Sequence, residues 1–105
     1  MRKNRPSMLI SMSYKLKFLP TALKEWKKLD NSIRTQFRKK LKERLEAPHV
    51  RSCKLSGFDN HYKLKLRASG YRLVYEVIDK ELFIIVVAVG KREKGAVYEK
   101  VRERS

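Results

Sequence analysis

The sequence predicts an α+β fold in the order β-α-α-β-β-β-α: a mainly antiparallel four-stranded sheet with a helix hairpin on one side. Three observations carry this. Residues 61–67 and 71–78 alternate apolar and polar side chains on either side of Ala68-Ser69-Gly70, the pattern of a strand, a turn and a strand. Residues 20–48 instead place apolar side chains three or four apart, the helical period. Residues 82–89 are an unbroken apolar run, as in a strand covered on both faces.

Each element follows in order. In residues 13–19, Tyr14, Leu16 and Phe18 point one way and Lys15 and Lys17 the other, which predicts a half-buried strand. Pro20 suits the first turn of a helix, where its missing N–H costs nothing. Ala22, Leu23, Trp26 and Leu29 then form an apolar face, and this spacing makes Trp26 a core residue. Asp30-Asn31-Ser32 ends that helix and caps the next. In the second helix Ile33, Phe37, Leu41 and Leu45 recur every four residues until Pro48 stops it. Residues 49–60 read as irregular. Strands at 61–67 and 71–78 are followed by a turn at Asp79-Lys80 and a central strand at 81–89. Residues 91–95 form a charged loop, and a final helix carries Val97 and Val101 on one face, with Tyr98 beside them.

A chain of 105 residues is one domain, which excludes a two-domain enzyme with its own cofactor domain. Lys and Arg number 27 against 11 Asp and Glu, a formal charge of +16. Such a field concentrates polyanions, so a nucleic acid is the expected partner class. Residues 1–11 read as a disordered extension and Met12 as the opening of the folded domain, residues 12–105. Removing Arg2, Lys3 and Arg5 with the extension takes the charge from +16 to +13, so the basic character belongs to the fold. The single cysteine, Cys53, permits no intrachain disulfide, fits the reducing cytoplasm and reads as a small apolar filler. No apolar run approaches the ~20 residues of a membrane span, so no membrane association is expected.

The hairpin at 61–78 is the most informative segment. Side chains change face at every residue of a strand. Tyr62, Leu64 and Leu66 therefore face the core, and Lys63, Lys65 and Arg67 form a cationic row on the other side. The core residues pair best as Leu66 with Leu73, Leu64 with Tyr75 and Tyr62 with Val77. That register makes residues 68–71 the loop and sets Arg67 opposite Arg72 and Lys63 opposite Glu76. A slip by one residue would bury Arg72 beside Leu66. Arg72 thus joins Lys63, Lys65 and Arg67, and the C-terminal segment with Lys91, Arg92 and Tyr98 is placed to return over this face.

A row of lysines on a strand is, on its own, equally a solvated face that blocks edge aggregation. Gathered with arginines and an aromatic ring, it suits a phosphodiester, with the ring stacking on a base. It also suits metal-free cleavage of RNA. Attack by a 2′-oxygen on the adjacent phosphorus requires loss of its proton, fixed positive charge for the phosphate oxygens, and a proton or cation at the departing 5′-oxygen. Crowded ammonium groups lower one another's pKa from about 10.4, which favours a neutral, basic amine. Arginine stays charged and offers forked donors, and such electrostatic stabilisation is often the largest catalytic contribution. The carboxylates Asp59, Glu76, Asp79, Glu81 and Glu93 show no ligand-like spacing, so no metal and no cofactor is expected. His49 and His61 have no readable orienting partner and are taken as surface or loop residues.

From about Met12 to Arg102 the chain resembles the RelE toxin family of bacterial toxin–antitoxin systems. The resemblance rests on Ala22-Leu23-Lys24-Glu25-Trp26, on the run from Tyr62 to Tyr75, on Val89-Gly90-Lys91-Arg92-Glu93 and on Val97-Tyr98, in this order and spacing. It implies a compact, microbial-ribonuclease-like fold, cleavage of mRNA in the ribosomal A site with inhibition of translation, and a cognate antitoxin that wraps the toxin. The family's functional residues fall on Lys63, Lys65, Arg72, Arg92 and Tyr98. Lys63 or Lys65 would take part in proton transfer, Lys65, Arg72 and Arg92 would hold the phosphate and leaving group, and Tyr98 would stack on a base. Lys54, Arg67, Lys91 and Lys94 are the expected RNA or ribosome contacts. The family often has a basic residue where this chain has Ser56, after Lys54-Leu55.

Two other readings use the same residues. One is a non-catalytic basic module that binds ribosomal RNA, and the other is a toxin of the same fold that poisons DNA gyrase. The second has no need of lysines, arginines and a tyrosine gathered on the sheet. The strong positive charge agrees with neutralisation by an acidic antitoxin segment that folds on binding, docking on the helix hairpin and the final helix.

Overall fold

Four strands, β1 (Lys15–Phe18), β2 (His61–Leu66), β3 (Tyr71–Ile78) and β4 (Phe83–Lys91), form one sheet in the order β1-β4-β3-β2. The computed structural model describes residues 13–91 and 96–104; the expected extension at 1–11 lies outside them. The helices are α1 (Pro20–Lys27), α2 (Asn31–Glu46) and α3 (Ala96–Arg104). None of them is long and apolar enough to cross a membrane. β4 pairs parallel with β1 and antiparallel with β3, and β3 pairs antiparallel with β2. The apolar run thus occupies an inner strand, as its two-sided hydrophobicity requires.

The helices begin and end where the sequence signals it. Pro20 stands in the first turn of α1. Asp30 holds the extended backbone of an N-cap, but its side chain makes no capping bond. Instead, Arg34 of α2 donates to the carbonyls of Leu29, at 2.8 Å, and Lys27, at 3.1 Å, closing the end of α1. α1 and α2 bury Ala22, Trp26, Ile33, Phe37 and Leu41 against Tyr62, Leu64, Leu66, Leu73, Tyr75 and Val77 of the sheet.

The sheet has a second apolar face, on the side where the hairpin carries its cations. Val74, Val87 and Ala88 pack there with Val97 and Val101 of α3. α3 therefore lies opposite the other two helices rather than with them. A bulge makes this possible: between Val74 and Tyr75 the partner on β4 jumps from Ala88 to Val86, leaving Val87 unmatched. The phase of β4 shifts there, so Val86 and Val89 face α1 and α2 while Val87 and Ala88 face α3. A Cβ on Gly90 would sit 3.2 Å from both Val97 Cγ2 and Lys100 Nζ, so its hydrogen lets α3 approach closely.

The hairpin register differs from the expected one by two residues. Leu66 pairs with Tyr71, Lys65 with Arg72, Leu64 with Leu73, Lys63 with Val74, Tyr62 with Tyr75 and His61 with Glu76. Both registers put the same side chains on the same faces, because alternation repeats every two residues. The turn decides between them. Gly70 has φ +79 and donates its N–H to the Leu66 carbonyl at 2.8 Å, which makes residues 67–70 the loop.

β1 ends at Phe18, leaving the outer edge of β4 open beyond Val86. Main chain and side chains complete it. Leu19 donates to the Val86 carbonyl, Arg104 to the Val87 carbonyl, and Glu25 Oε1 accepts from the Val89 N–H. Glu25 also meets Lys100 Nζ at 2.8 Å and takes both guanidinium nitrogens of Arg104, at 3.0 and 3.1 Å. One carboxylate thus joins α1, α3 and the β4 backbone, and these cations hold its pKa below the usual value against the opposing effect of burial.

Candidate active site

Arg72 lies on the face of β3 that turns toward α3. Its Nη1 donates to Tyr98 Oη at 2.7 Å, and the guanidinium carbon sits 5.6 Å from the centre of the ring. Lys65 is its direct partner across the β2–β3 ladder. Two like charges at one cross-strand pair destabilise a sheet, so this pairing is a structural cost. Lys63 lies two residues away on the same face, half-buried beside Val74. Lys65, Arg67 and Arg72 line a cleft of about 310 Å³ at the mouth of the hairpin, with Leu66, Gly70 and Tyr71.

The described part of the expected constellation thus converges: Lys65, Arg72 and Tyr98, with Lys63 adjoining. Arg92 and Lys94 lie outside the described residues. Arg67 is exposed in the hairpin loop. Lys91 ends β4 opposite Tyr71, one residue out of step with Arg72, and its Nζ lies 5.8 Å from the Tyr71 ring centre. Lys54 is exposed at the other end of β2, where it bridges to Tyr62. His61 is not a surface residue: it is 5% exposed, its Nδ1 is 2.7 Å from the Asp59 carbonyl, and its ring lies beside Phe58. The cause is that the 51–58 segment folds over the start of β2, an irregular stretch that periodicity does not reach. His49 is exposed and 2.9 Å from Asp79, which also accepts from Tyr14 Oη.

Sequence reasoning missed Arg44 and Lys40 of α2. They border a second cleft on the outer side of β2. The available signal was their position three residues after Phe37 and Leu41, which puts them beside the apolar stripe on one flank. Arg44 Nη1 is 3.3 Å from Tyr75 Oη and its Nη2 is 3.5 Å from Cys53 Sγ, so half-buried Cys53 stands next to a cation. Tyr75 donates to the Pro48 carbonyl at 2.8 Å; burial holds its phenol above the usual pKa, against the opposing pull of Arg44.

A family model described as "ParE toxin of type II toxin-antitoxin system, parDE" matches residues 16–95. A putative RelE-like toxin protein of Escherichia coli is 58% identical over 93 residues, which are 89% of this chain and 98% of that protein. The mRNA interferase toxin RelE of E. coli K12 is 50% identical over the same shares. A mutant of the E. coli toxin RelE, solved in the free state, has a TM-score of 0.82 at 49% identity, covering 88% of this chain and 97% of that one. A chain of the intact E. coli RelBE toxin–antitoxin complex matches with a TM-score of 0.76 at 51% identity, covering 78% and 100%. Matched over most of its own length and nearly all of theirs, the chain belongs to the ParE/RelE family of toxins from type II toxin–antitoxin systems, with RelE proteins among its relatives.

Proposed function

We propose that this chain is an mRNA interferase, an endoribonuclease that cuts messenger RNA in the ribosomal A site and so stops translation. The observation that carries the reading is Lys65 set directly across from Arg72, with Arg72 bonded to Tyr98. Two like charges whose pairing costs the sheet something are held at one place beside an aromatic ring, and a phosphodiester between them relieves the repulsion. The name of the K12 relative, mRNA interferase toxin RelE, supports the same chemistry.

In the step we propose, the 2′-oxygen loses its proton, attacks the neighbouring phosphorus and expels the 5′-oxygen. The products are a 2′,3′-cyclic phosphate and a 5′-hydroxyl. Lys63 or Lys65 takes the proton from the 2′-hydroxyl, and the departing 5′-oxygen takes up a proton from water to become the 5′-hydroxyl. Arg72, with Lys65 and Arg92, balances the charge that grows on the phosphate oxygens and on the departing oxygen. Tyr98 stacks on a base and orients the nucleotide. Arg67, Lys91, Lys54 and Lys94 supply contacts to the message or ribosomal RNA. The ribosome places the work in the cytoplasm. The likeness to the RelBE complex supports a cognate antitoxin as the protein partner.

Primer extension on a defined message, with and without ribosomes, tests this. Cleavage confined to A-site codons of the ribosome-bound sample is the expected result. Cleavage of free RNA to the same extent, or ribosome binding without cleavage, overturns it.

A further inference from the structure

The cleft on the outer side of β2 has a volume of about 330 Å³, and Lys40, Arg44, Lys63, Lys65 and Arg67 all line it, with no carboxylate in the wall. Among the described residues, the ion pairs join His49 to Asp79, His61 to Glu76, Lys100 and Arg104 to Glu25, and Arg102 to Glu99. None of the five cleft cations takes part. Arg44 is the sharpest case. Its guanidinium is half-buried, and its side-chain partners are a phenol at 3.3 Å and a thiol at 3.5 Å, neither of them a carboxylate. A charge partly removed from water favours an opposite charge as its partner. Arg104 shows the contrast, for it is also half-buried and carries a bidentate carboxylate. Lys40 stands one helical turn before Arg44 on the same side of α2, so the two repel each other as well.

The cleft adjoins the candidate active site. Lys65 and Arg67 line both. Lys63 and Lys65 are two residues apart on one strand face, roughly 6.6–6.8 Å, a step commensurate with adjacent phosphates of an extended strand. A message held at Lys65 and Arg72 would have the outer cleft as its neighbour.

We infer that the outer cleft holds the phosphate of the linkage next to the one that is cut, with Arg44 and Lys40 as its donors. The inference rests on the endoribonuclease reading and adds a subsite to it. The message, rather than ribosomal RNA, is the occupant because the cleft shares two of its cations with the cleavage site.

The test uses short synthetic messages on ribosomes, each with one neutral methylphosphonate at a linkage flanking the cut. With the wild-type toxin, one such position should lower kcat/KM by about tenfold, the value of one charge-assisted contact. In Lys40→Ala/Arg44→Gln the same substitution should change it by less than about twofold. Lys40→Glu, on the exposed helix surface, serves as a second variant that does not disturb Tyr75. Equal sensitivity to methylphosphonate in wild type and variants overturns the inference. So does a rate loss in the variants that is the same for every message, which assigns the cleft to ribosomal RNA instead. Failure of the wild type to cut the unmodified message overturns the endoribonuclease reading, and the subsite falls with it.

Discussion

Arg72 joins two parts of the site that no local pattern connects. It pairs across the ladder with Lys65 and donates to Tyr98 from the opposite side. Replacing it by alanine should lower the rate of message cleavage by about 10²-fold or more, in line with loss of one preorganised donor to a developing negative charge. Ribosome binding, measured by co-sedimentation, should largely survive. Tyr98→Phe keeps the ring and removes only the hydroxyl. Its loss should be about tenfold or less, the value of one hydrogen bond to a charged group, and single-turnover cleavage measures it. If Tyr98→Phe proves as damaging as Arg72→Ala, the hydroxyl has a chemical role beyond orienting Arg72. At this scale the sequence is informative wherever alternation applies. Lys63, Lys65 and Arg72 are assigned to one face by the apolar residues between them. Glu25 and Arg44 are opaque because their partners, in α3 and at Tyr75, lie far away in the chain, and His61 because the 51–58 segment that covers it has no period.

Glu25 acts on an element rather than on a neighbour, since it fastens α3 and with it Tyr98. Removing one partner of so enclosed a network should cost about 3 kcal/mol, so Glu25→Gln should show a clearly reduced urea midpoint at neutral pH. The carboxyl has a lowered pKa in the folded chain, so it stabilises the fold above the unfolded carboxylate value of about 4.3. That contribution disappears as pH falls through the still lower folded value. The gap in Tm between wild type and Glu25→Gln should therefore narrow steadily as pH is brought below about 4.3; a gap independent of pH would separate the effect from ionisation. The hairpin loop yields a second test. Nothing lies within 4 Å of a Cβ placed on Gly70, so Gly70→Ala isolates the backbone cost of its φ of +79, about 1–2 kcal/mol in denaturant unfolding. The helices and strands are legible because their periods differ. The register is not, because a shift of two residues leaves every face unchanged and only the turn separates the alternatives.

For the molecule as a whole, the +16 charge works against its own compact state and in favour of any polyanion. Inorganic phosphate or a short RNA should raise Tm, whereas Tm in low-salt buffer without either should be lowest. Cleavage efficiency should fall steeply with salt, by powers of ten across a severalfold increase, because each phosphate contact releases counterions. A flat salt response would mean that the cationic face contributes little to substrate capture. The α+β class is legible in the order of elements. The parallel pairing of β1 with β4 and the placement of α3 are not, because both join segments with no shared local pattern, and the bulge at Val87 hides the second apolar face within a featureless apolar run.

That parallel pairing bears on how the chain comes into being. β1 leaves the ribosome early, yet among the described strands it pairs with β4 alone, the last of them to be made, and the ring of Tyr98 arrives later still. Closing so large a loop delays assembly until synthesis is nearly over. A half-made copy therefore lacks a finished centre with which to cut any message.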